Sequence, residues 1–262
     1  MYQFFVQEEQ FSKDRICILG SDVNHIKNVL RMKRGEQVRI SISDNGRSFF
    51  GFIDEISEEE VIVLIDSEDK AGTELFNRIY LFQGLPKGDK MELIIQKAVE
   101  LGVYEVIPVA MKNCVVKLDE KKAASKVKRW QAISESAAKQ SKRTLIPEIK
   151  MPLTWKEALK QAEELDIVLV PYENERGMEA TREILQGIQK GQSIGIFVGP
   201  EGGFSTEEIE AIAPEIPQER ESASIDKKEN STVHRISLGR RILRTETAGL
   251  ATLSMLIFCL DE

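Results

Sequence analysis

Residues 194–208 combine the residue types that build a ligand site at the end of a strand. The first five are apolar and partly β-branched, which is typical of a short buried strand. Ser205, followed three residues later by Glu208, has the pattern of a capping box, so a helix is expected to begin at Thr206. Three glycines between strand and helix would let the backbone approach a ligand closely. They are Gly199, Gly202 and Gly203.

This glycine-rich turn matches neither of the common phosphate-binding patterns. It lacks the order Gly-x-Gly-x-x-Gly, and no Gly-Lys-Ser or Gly-Lys-Thr ending supplies a phosphate-gripping lysine. A dinucleotide or a nucleoside triphosphate is therefore a poor first interpretation. The remaining choices are a ligand held mainly by backbone groups, or a tight strand-to-helix turn that binds nothing.

Basic residues are concentrated in three places although the chain is acidic. The net charge of −7 argues against a nucleic-acid partner, because such partners are held largely through phosphates. Residues 112–150, however, contain eleven Lys or Arg and four Asp or Glu. Smaller basic clusters lie at residues 25–34 and 235–244. One cluster alone is typical of a solvated helix face, whereas three together favour an RNA or phosphate surface.

Composition limits the class of protein. A chain of 262 residues can form one large domain, or a medium domain with a small companion. No apolar stretch approaches the roughly 20 residues of a membrane span, and residues 1–6 lack the basic start of a signal peptide. We therefore expect a cytoplasmic protein with no membrane partner. Cys17, Cys114 and Cys259 have no paired spacing, so buried thiols are expected and no metal site.

The first 66 residues are predicted to be mainly β-structure. Residues 38–43 alternate apolar and polar types, residues 44–46 are a hairpin-turn signal, and residues 49–53 and 61–65 supply further strands. A small closed or half-closed barrel is the expected result.

One helix is expected within this β region. Ser21 can cap it and Gly35 can end it. Its apolar stripe would consist of Val23, Ile26, Val29 and Leu30. The polar residues 67–73 that follow the last strand are predicted to be a linker.

After the linker, strands and helices are predicted to alternate. Strands are expected at residues 79–83, 103–109, 167–170 and 194–198. Asp89 with Glu92 can cap a helix that Gly102 ends, and residues 119–142 form a long basic helical region. This alternation predicts a mainly parallel sheet covered by helices. A last helix follows Arg244 and offers apolar residues for burial: Ala248, Ala251, Leu253, Met255, Leu256 and Phe258.

Residues 214–235 interrupt the alternation. They include two prolines, few apolar residues and nine charged ones. Such a segment has too little apolar surface to bury against a core. We interpret it as a mobile surface loop.

Four motifs lie in order between residues 85 and 248: LPKGDKMELIIQKAVELGV (85–103), AAKQSKR (137–143), VGPEGGF (198–204) and SLGRRILRTETA (237–248). Together they resemble the bacterial 16S rRNA (uracil-N3)-methyltransferases, and HIKNVLR (25–31) is similar to the N-terminal domain of that family. The resemblance covers nearly the whole chain. It implies an α/β protein of the SPOUT superfamily, with a PUA-like RNA-binding β-barrel at residues 1–70. Residues 74–262 would form the parallel-sheet methyltransferase domain, with a trefoil knot at its carboxyl end.

The resemblance further implies that S-adenosyl-L-methionine binds in a bent conformation among three loops at the strand ends. Backbone groups of glycine-rich loops can hold adenine and ribose, which agrees with the missing phosphate patterns. Matched by motif, the first loop supplies Val170, Pro171 and Tyr172. The second supplies Gly199, Pro200, Glu201 and Gly202. The third, residues 238–243, supplies Leu238, Gly239, Ile242 and Leu243.

Methylation of uracil N3 requires more than positioning. The cofactor carries the reactive group, but N3 must lose its proton to become a good nucleophile. A base, or a cation that stabilises the anion on the ring oxygens, is therefore expected. We assign the stabilising role to Arg244 and a base or orienting role to Glu246. The alternative is that Arg244 contacts RNA phosphate while Glu246 serves the helix dipole.

A base in folded rRNA must be splayed from its stack to reach a cofactor. We expect the barrel and residues 112–150 to grip the RNA backbone while the knotted region receives the uracil. The RNA contacts predicted in this way are His25, Arg31, Lys87, Lys142 and Arg143.

The implied partners are 16S rRNA, within the small ribosomal subunit, and a second copy of the chain. The family resemblance places the site of such a homodimer near the subunit interface. The apolar face of the last helix could form that interface or pack inside one subunit. Two other functions stay open: a noncatalytic RNA-binding protein, and a phosphate-binding hydrolase, which the missing phosphate-gripping lysine weakens.

Overall fold

The computed structural model describes residues 1–43, 46–70, 72–214 and 232–261. They divide into two units. The first contains Met1–Glu74 with Glu135–Ile146, and the second contains Leu75–Ser134 with Pro147–Glu262. In the part of the chain that is described, no helix has the length and apolarity needed to cross a membrane.

The first unit is a six-stranded sheet that curls into a half-barrel, in the order β1-β4-β5-β6-β3-β2. Its strands are β1 (Tyr2–Val6), β2 (Phe11–Ser12), β3 (Arg15–Leu19), β4 (Gln37–Ile42), β5 (Ser48–Ile56) and β6 (Glu60–Glu68). β1 runs parallel to β4, and the other pairs are antiparallel. Alternate apolar side chains face one core, because successive strand residues point to opposite faces.

The predicted hairpin and barrel-like sheet are confirmed. Asp44 and Asn45 of the hairpin turn lie outside the described residues. The linker prediction is wrong at its start, because the pairing of Phe49 with Glu68 carries β6 two residues into it.

The helix between β3 and β4 differs from the prediction. The α-helix α1 (Ser21–Asn24) has Gly20 at its N-cap and continues as a π-helical turn, His25–Val29. The Leu30 amide donates to the His25 carbonyl at 2.8 Å. This five-residue spacing inserts an extra residue into the turn, so Val29 is 62% exposed and Met32 is buried in its place. The helix therefore ends before Gly35.

The second unit contains a parallel sheet in the order β10-β8-β7-β12-β11-β13, with β9 paired to β8. Its strands are β7 (Arg78–Gly84), β8 (Glu105–Ala110), β9 (Glu148–Ile149), β10 (Leu153–Thr154), β11 (Ile167–Pro171), β12 (Ser193–Val198) and β13 (Thr232–Ile236). The central strands are nearly continuous apolar runs, as expected for strands buried on both faces. The predicted parallel α/β sheet is confirmed.

The described residues form six further helices, in chain order α2 (Lys90–Glu100), α3 (Glu120–Ser141), α4 (Trp155–Ala162), α5 (Glu179–Gln186), α6 (Thr206–Ile212) and α7 (Thr245–Leu260). The predicted capping box of α6 forms, with the Glu208 amide donating to Ser205 Oγ and the Ser205 amide to Glu208 Oε2. Asp89 is the N-cap of α2 but makes no side-chain capping bond, and the Glu92 carboxylate is paired with Arg129.

The predicted surface loop 214–235 is wrong at its end. Residues 232–235 belong to β13, which pairs in parallel with β11 through Val168 with Val233 and Val170 with Arg235. β13 is an edge strand, and an edge strand needs fewer apolar side chains than a central one. Residues 215–231 of the predicted loop lie outside the described residues.

Helix α7 buries part of the apolar set that the sequence offers. Leu253 and Leu256 are fully buried, whereas Phe258 is 90% exposed. The three thiols also differ, since Cys114 is buried, Cys17 is half-buried and Cys259 is exposed. The expectation of burial therefore holds for Cys114 alone among the cysteines.

Candidate active site

Three loops of the second unit meet around one cavity of about 480 Å³ at the carboxyl ends of β11, β12 and β13. This edge is where open α/β sheets bind ligands. Nine of the eleven residues predicted to bind the cofactor line the cavity: Pro171, Tyr172, Gly199, Pro200, Glu201, Leu238, Gly239, Ile242 and Leu243.

The other two, Val170 and Gly202, are absent from the lining. Val170 is fully buried within β11, one residue below the loop. Gly202 faces Asn113, and a Cβ built at position 202 would lie 3.0 Å from Asn113 Cβ. Its neighbour Gly203 lines the cavity instead, with a left-handed φ of 66° that glycine adopts at little cost.

The glycine turn, residues 199–204, is held close to the end of β7. A Cβ at Gly84 would lie 2.7 Å from the Pro200 nitrogen, so only glycine fits there. A buried chain of hydrogen bonds reaches the turn from below. Gln83 Nε2 donates to Thr245 Oγ1 at 2.8 Å, and Thr245 Oγ1 donates to the Gly199 carbonyl at 2.6 Å. The start of α7 and the end of β7 therefore both fix this turn.

One wall of the cavity is apolar. Val198, Phe204 and Ala248 contribute to it. The Phe204 ring lies 6.1 Å from that of Trp155, which in turn packs edge-on against Phe197 of β12. Such a wall suits a flat, weakly polar ligand group.

A charged cluster that the sequence analysis missed lies beside the cavity. Lys90 Nζ, at the start of α2, lies 3.0 Å from Glu201 Oε1 and 3.1 Å from Glu246 Oε2. The Lys87 amide also donates to Glu201 Oε1 at 3.1 Å. No sequence spacing connects these residues, because the sheet brings them together from three separate elements.

This cluster changes the proton affinity of its members. The two carboxylates raise the pKa of Lys90, Glu201 more strongly than Glu246. Burial raises the pKa of Glu201 and of Glu246, but the Lys90 ammonium and nearby backbone amides outweigh it, and both pKa values lie below their ordinary range. Arg244 contributes to the lowering at Glu246. Both carboxylates are therefore ionised at neutral pH and are weak bases.

Three arginines line the rim of the cavity. Arg240, Arg241 and Arg244 are exposed, and none forms an ion pair with a described residue. Arg244 is the N-cap of α7, two residues before Glu246. Of the two residues predicted to be catalytic, Arg244 lines the cavity. Glu246 is not part of the lining and is paired with Lys90, which is.

The predicted RNA contacts are placed in both units. In the first unit, His25 and Arg31 are exposed at the π-helical turn, and Lys142 is half-buried with Nζ donating to the Met1 carbonyl at 2.8 Å. Lys87 is exposed in the second unit.

Arg143 requires a correction. It is 3% exposed, and its guanidinium is ion-paired with Glu74 inside the first unit. A buried charge needs such a partner, so the side chain is engaged within the fold and not accessible to RNA in this structure. No group of His, Cys, Asp or Glu suited to a metal ion occurs within residues 1–43, 46–70, 72–214 and 232–261.

Comparison with known proteins shows the family of the chain. Residues 73–216 match the family model of the RNA methyltransferase domain, and residues 18–66 match that of the RNA methyltransferase PUA domain. Ribosomal RNA small subunit methyltransferase E of Bacillus subtilis strain 168 is 36% identical over 264 residues, covering 98% of this chain and 96% of that protein. The chain belongs to the ribosomal RNA small subunit methyltransferase E family.

Two other members of the methyltransferase E family are similar over nearly their whole length. The Mesomycoplasma hyopneumoniae strain 232 member is 32% identical over 257 residues, covering 98% of this chain and 99% of that protein. A crystal structure of the Neisseria gonorrhoeae member, bound to S-adenosyl methionine, is 27% identical with a TM-score of 0.78 and covers 99% of this chain and 98% of that one. The predicted family, and the α/β fold with a PUA-like half-barrel, are confirmed.

Proposed function

We propose that the chain is an S-adenosyl-L-methionine-dependent methyltransferase that methylates N3 of a uridine in the 16S rRNA of the small ribosomal subunit. The observation that carries the proposal is the convergence of the three motif loops on one cavity. Family membership supports the reaction class and the substrate.

The cavity fits the cofactor in size and chemistry. Its 480 Å³ lies within the roughly 300–1,000 Å³ typical of sites for molecules of this size. The apolar wall of Val198 and Phe204 suits an adenine ring. A Cβ at Gly239 would meet nothing within 4 Å, so backbone is openly presented there. The carboxylates of Glu173 and Glu175 suit a ligand that carries positive charge.

When bound, the cofactor supplies a methyl group on a sulfonium for in-line displacement. The residues of the chain must then favour loss of the N3 proton. Arg244 is placed to stabilise negative charge on the uracil oxygens. Because its pKa is lowered and Lys90 holds it, Glu246 suits an orienting role better than that of a base.

The remaining features of the proposal concern RNA and assembly. Residues 1–70 act as the PUA-like RNA-binding domain, and residues 74–262 as a SPOUT methyltransferase domain with a knotted carboxyl end. The exposed lysines of α3 contact RNA phosphates together with His25 and Arg31. The protein works as a homodimer in the cytoplasm, where ribosomal subunits are its substrate.

The test uses purified protein with methyl-labelled S-adenosyl-L-methionine. Small subunits, protein-free 16S rRNA and large subunits are offered in parallel, and the RNA is digested for nucleoside mass spectrometry. We expect 3-methyluridine in 16S rRNA and none in large-subunit RNA. Failure to bind the cofactor would contradict the proposal and favour the noncatalytic RNA-binding protein. Light scattering that shows a monomer at micromolar concentration would remove the homodimer.

A further inference from the structure

Asn113 lies in the segment that follows β8 and is bonded to the glycine turn. Its Nδ2 donates to the Gly202 carbonyl at 3.0 Å and to the Gly203 carbonyl at 3.2 Å. A primary amide has two N–H groups, so a single side chain satisfies two consecutive carbonyls. The two peptide planes that lead into Phe204 are fixed in this way.

Two other carbonyls of the turn also accept hydrogen bonds. The Gly199 carbonyl accepts from Thr245 Oγ1 at 2.6 Å, and the Pro200 carbonyl accepts from the Gly203 amide at 2.9 Å. Protein donors therefore hold the turn from two sides. Thr245 acts from the buried side, and Asn113 acts from the exposed side.

The segment that carries Asn113 is itself tied to the start of α6. The Lys112 amide donates to Glu208 Oε1 at 2.6 Å, and Lys112 Nζ lies 2.9 Å from Glu207 Oε2. Glu208 is the capping-box residue of α6. The close approach of Gly202 to Asn113 Cβ leaves no room for a side chain at position 202. The side-chain amide is therefore held in place by the bonds of Lys112 to α6 and by the close contact with Gly202.

We propose that Asn113 is a positioning residue for the methyl donor, acting through the Gly202 and Gly203 carbonyls to hold Gly203 and Phe204 against the ligand. The inference rests on the proposed function, since the ligand concerned is S-adenosyl-L-methionine. Asn113 is not itself part of the cavity lining. Its effect falls on cofactor affinity, and the chemical step at saturating cofactor is left unchanged.

Asn113→Asp tests this with a side chain of the same shape. The carboxylate has no N–H to donate and places negative charge against two carbonyl oxygens. We expect the Kd for S-adenosyl-L-methionine to rise about tenfold or more at pH 8, since each factor of ten corresponds to about 1.4 kcal/mol. Asn113→Ala, which loses the bonds without the repulsion, should raise Kd less. In both variants the KM for cofactor rises while kcat stays within about twofold.

A pH series separates positioning from general damage. A protonated aspartic acid regains one donor, so the ratio of the Asn113→Asp Kd to the wild-type Kd should narrow as the pH falls from 8 to about 4, near the ordinary carboxyl pKa of about 3.9. Asn28→Asp is the matched control, because Asn28 is also exposed and, among the described residues, its Nδ2 bonds only Asn24 Oδ1, at 2.7 Å. It should bind cofactor like the wild type.

The outcomes distinguish the two proposals. Wild-type protein that does not bind S-adenosyl-L-methionine in calorimetry refutes the proposed function. Wild-type protein that binds while both Asn113 variants bind within twofold of it refutes the role of Asn113. A fall in kcat with unchanged KM, or a Kd ratio that does not change with pH, also overturns positioning.

Discussion

Lys90 Nζ lies 3.1 Å from Glu246 Oε2, and the same ammonium lies 3.0 Å from Glu201 Oε1. One cation from the start of α2 therefore fixes a carboxylate of the glycine turn and a carboxylate of the first turn of α7. The glycine turn and the start of α7 therefore share one cationic partner.

Lys90→Met should lower kcat/KM about tenfold, with Lys90→Arg recovering part of the loss. It should also lower the Tm, and the loss should depend on pH. Because the pKa values of Glu201 and Glu246 are lowered, their stabilisation is present above the ordinary value of 4.5 and is lost as the pH falls through the lowered values. Thermal melts should therefore show a difference in Tm between wild type and Lys90→Met at pH 7, and this difference should disappear below about pH 4. A gap that is constant with pH would contradict the ion-pair explanation.

Arg244→Ala should slow methyl transfer about a hundredfold in a single-turnover assay with saturating RNA, because it removes the cation expected to stabilise the uracil oxygens. Glu246→Gln should slow it by about tenfold or less, as befits an orienting group. Arg240→Ala is the control for loss of a rim arginine. Unchanged rates for both Arg244→Ala and Glu246→Gln would refute the assignment.

Features of the site that depend on neighbouring residues were predicted from the sequence, whereas contacts between distant elements were not. The capping box of Ser205 and the turn glycines depend on near neighbours, and their signals were readable in the sequence. Lys90 was missed because its two partners lie more than 100 residues away along the chain. The π-helical turn that exposes Val29 was missed because the spacing of apolar residues in the sequence also fits an ordinary α-helix.

Charge and polarity led to two wrong predictions, one for a buried arginine and one for an edge strand. Arg143 belongs to a basic motif yet lies buried against Glu74. The strand β13 has the polar composition of a loop, because an edge strand can expose one face. Neither outcome follows from the composition of a single segment.

Gly84→Ala should destabilise the second unit by about 1–3 kcal/mol, because the new Cβ would overlap the backbone of Pro200. Cofactor affinity should fall with it. Gly249→Ala is the matched control: its Cβ would lie 3.4 Å from Leu81 and Val198, and alanine is favoured in a helix by about 1 kcal/mol. Urea unfolding and calorimetry measure both effects. Equal stability of the two variants would contradict the close approach.

Lys121→Glu with Lys128→Glu should weaken rRNA binding about tenfold at 0.1 M salt and reduce the salt slope by about two, since both exposed lysines of α3 would lose phosphate contacts. Affinity for S-adenosyl-L-methionine should not change. Lys156→Glu with Lys160→Glu is the matched control, because both lysines are exposed on α4 outside the basic clusters. Filter binding across a salt series provides the measurement, and equal losses in the two double variants would argue against a specific role for α3.

Arg143→Met should lower stability by about 3 kcal/mol, since it leaves the Glu74 carboxylate without its buried partner. At a temperature where the variant is fully folded, its affinity for rRNA should equal that of the wild type. Weakened RNA binding with an unchanged Tm would restore the original interpretation of Arg143 as an RNA contact.

The first unit is formed by two separate stretches of the sequence. Residues 135–146 complete it, with Gln3 Nε2 donating to the Arg143 carbonyl at 2.5 Å and Lys139 Nζ lying 3.2 Å from Asp22. In a chimera that takes residues 1–74 from a relative, one residue of each of these pairs would come from the relative and the other from this chain. Exchanging both stretches together keeps these pairs matched. A chimera joined at the linker alone would separate residues 135–146 from the rest of the first unit.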